Sequence, residues 1–293
     1  MKTNTLVMEL LRGIWALQVE ALPIYGPLAY RFLFENSTDE FVKPQSLFTV
    51  FDSNFQAVKA AKNEKITIPK DSIAVVDAIG LLTKYGDICS YGALDIVRAL
   101  DFANQHPNII GTVLNVDGPG GSIAAIGPLV EFGKRKTKPV VGLCDQACSA
   151  HLFGMLAVSD YIMADNNISA QIGSIGVMLS WMDNKKYLES IGYEFHQVYP
   201  DESKHKNESV RLAQEGKYEM IKKEMLSPKA IQFQDFVKEK RPRLKANHPG
   251  LLTGKSFGAE EALQLQLIDR IGSMGEAMEM AKYLSELQHI KKN

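Results

Sequence analysis

Two stretches, IIGTVLNVDGPGGSI (109–123) and PVVGLCDQACSAHLFG (139–154), decide the fold. Each opens on an apolar run, passes through a turn of small residues and enters a helical pattern. In the first, 109–116 reads as a strand that empties into Gly118-Pro119-Gly120-Gly121, with a helix over 121–135 that Pro128 should kink. In the second, 139–145 reads as a strand and 147–159 as a helix, which puts Ser149 in the first helical turn. Working outward, IAVVDAIG (73–80) is a strand, and 91–105 is a helix closed by Pro107. YIMAD (161–165) and SIGVMLS (174–180) read as strands, and 208–240 is charged and helical in period. The tail from 256 gives two short helices around the strand-like LIDRIG. This alternation predicts an α/β fold with a largely parallel sheet.

Upstream, residues 1–66 read as a separate helical extension, followed by a main domain over 67–287 and a tail over 288–293. Leu10, Leu11, Ile14, Leu17 and Leu22 recur at near-helical spacing, 36–46 is a polar loop, and a second helix is expected over 53–64. The most apolar stretch, 13–34, is interrupted by Glu20, Pro23, Pro27 and Arg31. It falls short of the roughly 20 mostly apolar residues of a spanning helix and reads as amphipathic. The start of the chain lacks the pattern of a secretory signal.

Composition bounds the partners. The 293 residues carry 33 basic and 34 acidic side chains, a net charge of −1, which gives no electrostatic reason to expect nucleic acid or an anionic membrane. The three cysteines, Cys89, Cys144 and Cys148, are too few for a disulfide framework and fit a reducing, cytoplasmic compartment.

The two turns are where chemistry is expected. Glycines at 118, 120 and 121 permit positive φ and close approach to a ligand, and free N–H groups at a helix start bind an oxyanion. Ser149 lies at the carboxyl end of a strand, the edge where open α/β sheets build sites. Alone, each feature has a plainer reading: a Gly-rich turn is usually a turn, and Ser at a helix start is usually a cap. Together, one strand apart, they point to acyl chemistry at a serine.

Four motifs then resemble, in order and spacing, the signal peptide peptidase A (protease IV) family: DGPGGS, ACSAHLFG, IGSIGV (172–177) and TGKSFGAEEALQLQLIDRIG (253–272). The resemblance covers about 73–285. It implies the Clp-protease/crotonase-like spiral of β-β-α units and serine endopeptidase activity by a Ser/Lys dyad, with no metal, nucleotide or other cofactor. It assigns the nucleophile to Ser149 and the oxyanion donors to the backbone N–H groups of Gly121 and Ala150. The general base falls on Lys206, with Lys204 the fallback because Asn207 replaces the family's usual Asp. Ser174 would orient the lysine amine. The context of Ser149 departs from the family's alanine-serine-glycine-glycine: Cys148 precedes it, and Ala150 and His151 follow.

A lysine base must shed its proton near neutral pH. From a reference pKa of about 10.4, reaching about 7 takes roughly 4 kcal/mol of differential solvation, hence a dry pocket completed by bound peptide or a neighbouring subunit. Histidine is the commoner base, but His151 lies two residues from Ser149 on the same helix and does not face it, so it reads as packing or lining the cleft. His196, in EFHQV, sits on an expected strand. Cys148 reads as a small buried packing residue. Cys144, Cys148 and His151 supply only three metal donors.

The segment IWALQVEAL resembles the start of soluble phage and prophage members of the family, which process capsid or scaffold proteins. That implies a head-maturation protease in the bacterial cytoplasm or a procapsid, acting on polypeptide and assembled as a homo-oligomer. A catalytically dead assembly scaffold and a crotonase-type acyl-CoA enzyme are the alternatives.

Overall fold

The structure, a computed structural model, describes residues 14–17, 46–59, 67–86, 90–181, 183 and 185–292. Its centre is a sheet of mostly parallel strands. β3 (Ser72–Ile79), β4 (Ile109–Gly118) and β6 (Val140–Cys148) run side by side, joined by α1 (Ala93–Gln105) between β3 and β4 and α2 (Ile126–Arg135) between β4 and β6. β2 (Phe48–Phe51) adds antiparallel to β3 at one edge. The near-continuous burial of β3 and β4 is what a parallel strand covered on both faces requires.

The sheet divides at β6. Residues 141–144 of β6 pair with β7 (Tyr161–Ala164), and residues 146–148 pair with β8 (Gln171–Gly173). One strand thus serves two partners on the same edge, while Ala147 near its far end still pairs with Gly118 of β4. Between them, α3 (Ala150–Val158) is buried along its whole length, the mark of a helix with protein on every side. Val76, Leu114, Leu100, Leu129 and Phe132 form the core beneath α1 and α2. Ile73, Val75, Val113 and Val141 form another against α8 (Met274–Lys292) on the opposite face.

The C-terminal part closes the far edge. β10 (Ser256–Gly258) pairs antiparallel with β8, α7 (Ala259–Gln264) follows, and β11 (Arg270–Ile271) pairs parallel with β7. Arg241, at the end of α6 (Ser227–Lys240), holds this closure with a fork onto Asp269 at 2.8 and 2.9 Å, while Asp269 also accepts the N–H of Ile162 at 2.9 Å.

The α/β class read from the sequence is what the chain adopts, with corrections in the elements. Residues 120–122 form a short strand, β5, and the helix after it starts at Ile126. Pro128 falls in the first turn of α2, where its missing N–H has no intrahelical partner to lose, so no kink is needed. β6 runs on to Cys148, three residues past the expected strand end. The strand expected over 174–180 shrinks to β9 (Met178–Leu179), and His196 lies in extended chain outside any strand. The charged stretch 208–240 divides into α5 (Glu208–Gln214), a short turn at Glu219–Ile221 and α6. Upstream, residues 53–59 are not helical, Phe48–Phe51 are the strand β2 of the main sheet, and Ile14–Leu17 form a strand, β1; residues 1–13, 18–45 and 60–66 of the expected helical extension lie outside the described residues.

The Arg241–Asp269 fork gives a prediction. Arg241→Lys keeps the charge and loses the paired geometry, so stability should fall by about 1–2 kcal/mol, read as a lower denaturant midpoint at unchanged slope.

Candidate active site

Ser149 stands alone between β6 and α3, as the cap rather than in the first helical turn. Its backbone takes φ 55° and ψ −114°, a conformation that side chains of L-residues disfavour. Such strain costs on the order of 1–3 kcal/mol and persists only where the surroundings impose it. The surroundings are visible. The Ser149 N–H donates to the Gly173 carbonyl at 2.9 Å, at the end of β8, and the Ser149 carbonyl accepts from Phe153 N–H at 3.0 Å, opening α3. The side chain is 1% exposed, and its hydroxyl donates to the Gly176 carbonyl at 3.3 Å.

Facing this elbow is the glycine turn. Gly118 of β4 sits in register with Ala147 of β6, so the turn after β4 arrives beside the end of β6. Gly121 has to be glycine, because a Cβ there would overlap the carbonyl of Leu82. That carbonyl accepts the Ser122 N–H at 2.8 Å, and Leu82 N–H donates to Gly120 at 3.0 Å, so the segment before α1 clamps β5 from outside. Ala150, the other expected oxyanion donor, is fully buried at the start of α3.

His151 joins the two halves of the site. It is 3% exposed, and its Nδ1 accepts the Gly120 N–H at 3.1 Å, which places the ring proton of the neutral form on Nε2. A Cβ at Gly118 would overlap the same ring. Burial pushes its pKa down from 6.5 to about 4, and the N–H that Gly120 gives to Nδ1 needs the neutral ring. The sequence reading allowed only packing or lining the cleft; a lone polar ring in an otherwise apolar helix was the available signal for more.

The other expected residues are placed as follows. Ser174 is half-buried at positive φ in the turn after β8, its N–H donating to Lys255 at 2.8 Å. Lys204 and Lys206 are both exposed, in the turn that leads into α5. Lys206 N–H donates to Ser203 at 2.9 Å, His205 pairs with Glu208 at 2.7 Å, and Asn207 is left-handed. The Ser149 hydroxyl is hydrogen-bonded to Gly176 and to neither lysine. Cys148 is buried against Gln171 and Ser256, and burial pushes the Cys144 thiol far up; among the described residues no His, Cys, Asp and Glu group could hold a metal. Asp117, at the end of β4, has its carboxyl pushed up by burial first and then by Asp145 and Asp165.

Between α2, α3 and α6 opens a cleft of about 790 Å³, with Ile126, Val130, Phe153 and Phe236 on its apolar side and Glu131 and Lys229 among its charged residues. Phe153 stacks on Phe236 at 4.2 Å, closing its floor.

A strained serine between a strand and a buried helix, opposite a glycine turn, has the parts of a hydrolase of the nucleophilic-serine class. The chain belongs to peptidase family S49, whose sequence model matches residues 133–288, a span that includes Ser149 and both lysines. Among relatives, the Putative protease MJ0651 of Methanocaldococcus jannaschii is 24% identical over 66% of this chain and 62% of that one. The Head-tail preconnector protein GP5 of Enterobacteria phage P21 is 30% identical over 43% of this chain and 25% of that one. Protease 4 of Haemophilus influenzae is 26% identical over 75% of this chain and 36% of that one. The chain thus spans less than two thirds of each of these proteins. Among the described residues no helix is long and apolar enough to cross a membrane.

Two predictions follow from the elbow and the imidazole. Ser149→Gly should be more stable than Ser149→Ala by about 1 kcal/mol in denaturant unfolding, because glycine adopts positive φ without strain. His151 folds neutral and charges more easily unfolded, so it stabilises above pH 6.5 and that contribution drains away as pH falls toward about 4. The loss is on the order of 3 kcal/mol. The raised carboxyls of Asp117 and Asp165 act with the opposite sign, so the comparison is with His151→Leu, whose stability should fall less over that window.

Proposed function

We propose that this chain is an endopeptidase in which Ser149 attacks the peptide carbonyl, Lys206 takes its proton, and the N–H groups of Gly121 and Ala150 hold the oxyanion. The observation that carries this reading is the strained Ser149 facing the glycine turn in a chain of family S49. The oxyanion donors are main-chain groups on β5 and α3, fixed before substrate arrives, and preorganised donors of this kind lower the barrier without reorganisation.

The lysine must come to the serine. Between β9 and α5 the chain exposes Tyr187, Ile191, Tyr193, Phe195 and Val198, and α4 (Lys185–Ser190) buries none of its residues. That much apolar surface on one segment calls for a covering partner. In this reading the partner is a second copy of the chain, or bound substrate, and covering the segment carries Lys206 into a dry pocket where its amine loses its charge. The 208–240 stretch is the other candidate contact: Tyr218 is exposed there, while Met220 and Met225 are half-covered and Ile221 is buried in its own chain.

The relatives support a polypeptide substrate. Likeness to a phage head-tail preconnector protein supports capsid or scaffold polypeptides as substrates, in a bacterial cytoplasm or a procapsid.

The test is direct. Ser149→Ala, Lys206→Ala and Lys206→Arg should each lower peptide hydrolysis by at least about a hundredfold, the arginine failing because it stays protonated. Near-normal hydrolysis by Lys206→Arg rejects Lys206 and turns attention to Lys204. A fluorophosphonate that never labels Ser149, with no thioester hydrolysis, would leave the scaffold reading; thioester turnover would favour the acyl-CoA reading.

A further inference from the structure

β1 pairs on both edges with the elements that flank Ser149. It runs antiparallel to β5, with Trp15 opposite Ser122, Ala16 opposite Gly121 and Leu17 opposite Gly120. Its other edge pairs with β9, Ile14 opposite Leu179 and Trp15 opposite Met178. The three form a separate sheet in the order β5-β1-β9. β5 is the strand of the glycine turn. β9 begins two residues after Gly176, whose carbonyl accepts the Ser149 hydroxyl. Residues 14–17 therefore span the opening over the nucleophile.

The register is specific. In β5 the Gly120 N–H is taken by His151 and the Ser122 N–H by Leu82. Successive N–H groups on a strand point to opposite sides, so the one between them, on Gly121, is directed toward β1. A peptide attacked at Ser149 has to offer its carbonyl to that N–H, and must therefore run beside β5 as an added strand with the attacked residue opposite Gly121. In β1 the residue opposite Gly121 is Ala16.

We propose that residues 14–17 are an internal peptide lying in the substrate's place, with the Ala16 carbonyl in the attacked position, so that β1 must leave before an external peptide can bind. This rests on Ser149 and Gly121 being the nucleophile and oxyanion donor. A tethered strand lowers apparent affinity for an external peptide by the fraction of time the groove stands open. It also fits a site whose lysine is exposed while the groove is filled.

The experiment measures binding without chemistry. In the full-length Ser149→Ala chain, a fluorescein-labelled peptide with the sequence of residues 11–20 (LRGIWALQVE) is titrated by anisotropy. Ala16 lies opposite Gly121 in the ladder with β5, so proline at 16 takes an N–H out of that ladder and breaks it. Adding Ala16→Pro should tighten peptide binding by about tenfold or more, as expected if the groove is open a tenth of the time or less. Trp15→Gly is the milder second variant. Both variants folding with the parent's melting curve and binding the peptide no better than the parent would overturn the proposal. The peptidase reading fails separately, if the chain with Ser149 hydrolyses nothing while the binding difference stands.

Discussion

The site depends on one backbone conformation, the positive φ of Ser149. A residue in that conformation sits at a reversal too tight for ordinary strand or helix, and it turns the hydroxyl out of the chain's own ladder. It exists because both neighbours are fixed. β6 cannot retreat, since its last residues pair with β8 and the Ser149 N–H is committed to Gly173. α3 cannot retreat either, since every residue of it is buried. The splitting of β6 between β7 and β8 is thus more than topology. It leaves the end of β6, just before Ser149, flanked by β4 on one side and β8 on the other.

The glycine turn is held to the elbow by a polar contact in an apolar setting. His151 takes the Gly120 N–H inside the core, and its ring fills the space that a side chain at Gly118 would need. Buried donors left unpaired cost on the order of 1–3 kcal/mol, so the bond disfavours any slip of the turn relative to α3. It also disposes of a competing donor. With Gly120 and Ser122 committed elsewhere, Gly121 is the one β5 amide turned toward the groove. A burial that keeps the imidazole neutral is part of the same arrangement, because only the neutral ring has a lone pair for Gly120.

The α/β class, the main strands and Ser149 at the strand–helix junction were legible because apolar runs, small-residue turns and helical periods are local signals. Element ends were less so. Gly120-Gly121-Ser122 reads as a helix start by its neighbours, yet its pairing partners lie about forty residues upstream at Leu82 and a hundred upstream in β1. Residues 14–17 show apolar spacing that suits a helix, and they are a strand because two edges compete for them. The same holds for 174–180: the positive φ at Gly173 and Ser174 shortens the strand to two residues and brings the Gly176 carbonyl under the hydroxyl. Long-range pairing has no period in the sequence.

Lys206 marks the limit of what one chain fixes. Its turn is held by short-range bonds, Lys206 to Ser203 and Arg211 to the Lys204 carbonyl, with Glu208 drawn to His205 beside them. None of these reaches the elbow. The serine side of the proposed dyad is built rigidly into the sheet, while the lysine side rides on a segment whose large apolar residues face solvent. Desolvating an amine and covering those residues are one event, since the water that leaves the apolar surface is the water that would keep the lysine charged. In the proposed reading, such a division lets the chain carry its serine in finished form and withhold the lysine until a partner surface is in place.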